Sequence, residues 1–63
     1  MDNIDRDELE HRRKLAAIYA RRLAIYRARI EQLGPLTPAH FLLEVEDDDK
    51  KLAATWARIA ELE

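Results

Sequence analysis

Gly34, Pro35 and Pro38 are the only glycine and prolines in the chain, and they fall within five consecutive positions. The rest is dominated by Ala, Leu, Glu and Arg, all good helix formers. The chain is therefore cut once, into arms of residues 1–33 and 38–63. Gly34 is placed to close the first helix, and Pro35 bars its continuation. Thr37-Pro38 reads as an N-cap followed by proline at the first helical position. Asp2, Asn3 or Asp5 can cap the first arm, whose Asp7 and Glu8 suit the positive end of a helix dipole. The expected fold is all-α: an antiparallel two-helix hairpin with helices over about 4–33 and 38–62 and a turn at 34–37.

The first arm carries a seam. Leu9, Ala16, Leu23 and Ile30 recur every seven residues, and Tyr19, Tyr26 and Leu33 lie three further on, with Arg12 the exception. Spacings of three and four in alternation are the mark of a coiled coil. Leu15, Ile18 and Ile25 lie beside this seam and widen the apolar face to roughly 160° at ~100° per residue. In the second arm Leu42, Val45, Leu52, Trp56 and Ile59 fall at seam spacing, Phe41 and Leu62 flank them, and Asp49 interrupts.

Charge separates the arms. Between His11 and Ile30 the first arm holds seven Lys or Arg and no acid, whereas Glu44, Glu46, Asp47, Asp48 and Asp49 crowd the start of the second. Folding back at the turn sets Val45 opposite Tyr26, Leu52 opposite Tyr19, Asp49 near Arg22, and Leu42 near Arg29 and Ile30. Arg22 and Arg29 are thus expected to pair with Glu46, Asp48 and Asp49. Exposed pairs contribute only ~0.2–1 kcal/mol each, so their expected role is to fix register and antiparallel orientation.

A chain of 63 residues buries only roughly 60% of its unfolded surface, and such chains usually lean on disulfides, a metal or a partner. Cysteine is absent, which excludes disulfides and thiolate metal sites and suggests a reducing, cytoplasmic setting. No cofactor is expected. The acidic start Met1-Asp2-Asn3-Ile4-Asp5 does not read as a secretory signal, and no apolar run approaches the ~20 residues of a membrane span. One helix cannot cover so wide a face on its neighbour. The expectation is a homo-oligomer, a dimer or tetramer of hairpins in a four-helix bundle or larger assembly, with Leu15, Ile18, Ile25, Phe41, Trp56 and Leu62 at the contact between copies.

The turn carries a further pattern. Arg21-Arg22-Leu23, then Gly34, then Thr37-Pro38-Ala39-His40 leading into Glu44-Val45-Glu46-Asp47, resembles a short helical-hairpin module of bacterial multidomain proteins, over roughly residues 21–62. The resemblance implies an accessory segment beside TIR, caspase-like (CHAT) or NACHT/STAND-type ATPase domains in conflict and signalling systems, acting as an adaptor or oligomerisation element. The helical pattern still running at Glu63 suggests one piece of a longer protein.

Sharper chemistry finds little support in the sequence. His40 and Glu44 have the i, i+4 spacing of metal ligands, but a site needs three or four, and His11 belongs at the far end of the hairpin. His40 is read instead as closing the turn. The acidic run lacks the glycine and alternating oxygen ligands of a calcium loop. A hairpin has no concave pocket to desolvate a substrate, so no enzyme is expected. A net charge of −2 gives no bulk attraction for nucleic acid or anionic membrane. Neither is expected as a partner, although a small nucleic-acid-binding bundle stands as an alternative, as does an adaptor for a matching hairpin on another protein.

Overall fold

The computed structural model describes residues 3–63 and shows two helices, α1 (Asn3–Leu33) and α2 (Ala39–Leu62), joined by a 3-10 turn at Gly34–Leu36. No strand is present among the described residues. Asp2, a candidate cap for the first helix, lies outside them. The helices pack antiparallel along their length into a rod of 49 × 14 × 13 Å. Its radius of gyration is 14.6 Å, against about 10.6 Å for a compact chain of this length.

The turn follows from its residues. Gly34 takes φ +55°, a left-handed conformation that costs other residues about 1–2 kcal/mol. The role foreseen for Thr37 is corrected. Helix α2 begins at Ala39 with Pro38 as its N-cap and no side-chain cap bond. The Thr37 hydroxyl turns backwards instead and donates to the Gly34 carbonyl at 2.7 Å, with the Ile30 carbonyl 3.4 Å away. The Thr37 amide donates to the same Gly34 carbonyl at 3.1 Å. Thr37 thus satisfies carbonyls left open by the end of α1. His40 is exposed, its ring edge-on to Phe41 at 4.7 Å.

The core is thin. Among the described residues the buried apolar side chains are Leu9, Ala16, Leu23 and Ile59, with Leu52 and Leu62 packed against the cluster of Leu9, Ala16 and Ile59. Tyr19, Tyr26, Ile30 and Val45 are half-buried. Among the described residues Asp48 and Thr55 are buried as well, Asp48 completely. The Thr55 hydroxyl is satisfied by donating to the Lys51 carbonyl one turn back, at 2.7 Å.

The seam of α2 differs from the one expected. Val45, Leu52 and Ile59 belong to it, but their companions are Phe41, Asp48, Thr55 and Leu62, each one residue before Leu42, Asp49, Trp56 and Glu63. Leu42 and Trp56 stand 52% and 55% exposed. Phe41 and Leu62, assigned to contacts between copies, are turned into the hairpin, where Phe41 packs a tilted ring against Tyr26 at 5.9 Å. The alternative row would set two carboxylates, Asp49 and Glu63, against α1. The observed row sets one, together with a hydroxyl that bonds within its own helix. Leu33, expected in the core, is 38% exposed at the end of α1.

Candidate interaction surfaces

Two lines of ion pairs run along the hairpin, one on each side of the seam. On the first flank Arg58 grips Glu8 with two parallel bonds, Nε to Oε2 and Nη2 to Oε1, both 2.8 Å, while its Nη1 donates to Glu61 at 2.9 Å. Arg22 on the same flank reaches Asp48 at 3.3 Å and Glu44 at 3.7 Å. On the second flank Arg27 donates to both oxygens of Asp49, at 2.9 and 3.1 Å, and Arg13 meets Glu63 at 2.8 Å.

These pairs correct the expected partners. Asp49 binds Arg27 rather than Arg22, and Asp48 takes Arg22. Glu46 stays within its own helix, paired with Lys50 at 3.5 Å. Arg29 meets no acid among the described residues; it lines an open groove of about 380 Å³ with Arg22, Ile25, Tyr26 and Phe41.

Proton affinities follow the contacts. The hydrogen bonds from Arg58 hold the Glu8 carboxyl below its ordinary value against the opposing effect of burial, and Glu8 and Glu61 in turn push Arg58 up. Arg22 is raised first by the Tyr26 hydroxyl and then by the charge of Asp48. Within α2, Lys51 lowers Asp47 and is itself raised.

The flanks divide the uncovered apolar residues. Ile18 and Ile25, 53% and 49% exposed, stand three or four positions from Leu15, Arg22 and Arg29, in the row beside the first flank. Leu15 in that inner row is half-buried. Trp56 lies seven residues from both Asp49 and Glu63 and fourteen from Leu42, so it belongs beside the second flank. Ile18 and Ile25 on α1, and Leu42 and Trp56 on α2, thus form two surfaces facing opposite ways. A single patch combining Ile18, Ile25 and Trp56 does not exist in the hairpin.

The sequence reading missed Thr55 in the seam and Glu8, Arg13, Arg27, Glu44, Arg58 and Glu63 as cross-helix partners. Their signal was the heptad itself: once the row from Phe41 to Leu62 is the seam, these charged residues fall beside it. Among the described residues no group of three or more His, Asp or Glu is arranged to hold a metal ion, and no helix is long and apolar enough to cross a membrane. No family model, curated protein or solved structure matches the chain.

Proposed function

We propose that this hairpin is a non-enzymatic self-association module that clusters whatever it is attached to. The supporting observation is surface left uncovered. The chain exposes 4833 Å², whereas a compact monomer of 7.4 kDa exposes about 4,200 Å². The excess of roughly 600 Å² approaches the ~800 Å² that each partner contributes to a standard interface. Burying a large apolar side chain contributes about 1.5–3 kcal/mol, so covering Ile18, Ile25, Leu42 and Trp56 adds as much stabilisation as a small core supplies.

Mechanism in this reading is multivalency: association of hairpins raises the effective concentration of tethered domains, to the millimolar range for short linkers, without new chemistry. Effector or ATPase domains of bacterial immune signalling, of the TIR, CHAT or NACHT type, enter the proposal through the turn motif alone. The test is to fuse the hairpin to a monomeric reporter whose output requires proximity. Reporter gain that is lost in an Ile25→Asp variant of unchanged helicity supports the module; equal output from parent and variant contradicts it.

A second reading, a small nucleic-acid-binding bundle, draws on Lys14, Arg21 and Arg29, which have no acid within ion-pair distance among the described residues. Binding to RNA or DNA with a steep salt slope favours it, and its absence at low salt removes it.

A further inference from the structure

The two uncovered surfaces differ in charge as sharply as in direction. On α1, the outward rows around Ile18 and Ile25 carry Lys14, Arg21, Arg22 and Arg29, and from His11 to Ile30 the helix has no acid. On α2, the rows around Leu42 and Trp56 carry Glu46, Asp49 and Glu63, with Lys50 at their edge beside Glu46, whereas Asp47 and Glu61 lie on the other side of the helix with Lys51 and Arg58. Each surface is therefore an apolar stripe flanked on its own helix mainly by one sign of charge, and the signs are opposite. The acids beside the α2 stripe are held by exposed pairs, Glu46 with Lys50, Asp49 with Arg27 and Glu63 with Arg13. Pairs of that kind are weak enough to be exchanged for a new partner.

A surface set against its own copy brings like charges together: α1 on α1 gathers Lys14, Arg21 and Arg29 of both chains, and α2 on α2 gathers their acids. A surface set against the other one matches apolar stripe to apolar stripe and cation to acid. We propose that the partner of each surface is a second copy of this chain, docked head to tail, the α1 stripe of one hairpin on the α2 stripe of the next. This rests on the self-association reading above and specifies its geometry. Such a contact is heterologous, so every added hairpin presents a fresh docking surface at each end, and the assembly grows into a ring or filament rather than stopping at a two-fold dimer.

The test mixes two singly blocked chains. Ile25→Asp places an acid in the basic surface, and Trp56→Arg places a cation in the acidic one; both side chains are about half exposed, so the seam is untouched. Head-to-tail docking predicts that each variant alone sediments as a single chain with parental helicity, and that an equimolar mixture forms a 1:1 complex of twice that mass and grows no further. If the parent associates but the mixture does not, or if either variant alone still associates, copies pair through like surfaces and the head-to-tail proposal is overturned while self-association stands. If the parent itself is a single chain throughout, the self-association reading fails instead. Should either variant lose helix, Ile25→Ser and Trp56→Ser carry the same mixing test.

Discussion

Arg22 Nε stands 3.3 Å from Oδ2 of Asp48, a carboxylate with no solvent exposure whose two oxygens accept no hydrogen bond among the described residues. The acid is fully desolvated, while the arginine keeps access to water and to Glu44. Removing the acid and removing the base should therefore have opposite consequences. Asp48→Leu is expected to stabilise the fold by about 1–3 kcal/mol, the cost of an unsatisfied buried acceptor. Arg22→Met leaves that carboxylate without its cation and is expected to lower the melting temperature. Urea or thermal unfolding of both variants checks the pair; a fall in stability for Asp48→Leu contradicts this account of the seam.

Glu8 supplies the pH dependence. Its carboxyl, ordinarily near 4.5, is lowered in the fold, chiefly by its hydrogen bonds from Arg58. A lowered folded value means that the unfolded chain binds more protons over the window between the two values. The contribution is fully present above about pH 4.5 and is lost as pH falls through the folded value. Circular-dichroism melts at successively lower pH should show a steeper loss for the parent than for Glu8→Gln. Superimposable pH profiles would remove the Arg58 fork from the explanation.

The turn makes a narrower prediction. A Cβ added at Gly34 meets nothing within 4 Å, yet φ is +55°. The cost of Gly34→Ala is therefore conformational, about 1–2 kcal/mol, and Gly34→Asn, which tolerates this region better, should cost less. Equal losses for Ala and Asn would point to a clash that the turn does not contain.

Core and surface should separate cleanly. Leu23, 2% exposed, should cost about 2–5 kcal/mol when cut to Ala, visible as loss of helix at every concentration. Trp56→Ala should leave the helicity of concentrated samples near that of the parent and weaken association alone. Equal loss of helix in both variants would place Trp56 inside the hairpin.

The hairpin was legible because its breakers are confined to residues 34–38 and because Leu9, Ala16 and Leu23 repeat without ambiguity. The rotation of α2 was not. Leu42 and Trp56 look like better seam residues than Asp48 and Thr55 when apolarity alone is weighed. Thr55 is admitted because its hydroxyl bonds the Lys51 carbonyl, and Asp48 is tolerated, though its oxygens accept no hydrogen bond, because Arg22 brings a cation to it. Neither contact registers in a count of apolar spacing. The same one-residue rotation moved Phe41 and Leu62 inward and left Trp56 facing away from Ile18 and Ile25, so the candidate contact surface became two.

Self-association of the hairpin is decided by sedimentation equilibrium over a wide dilution series. A weight-average mass well above 7.4 kDa is expected at high concentration, falling toward the single-chain value on dilution. A fully helical chain that holds its single-chain mass at every concentration would contradict it.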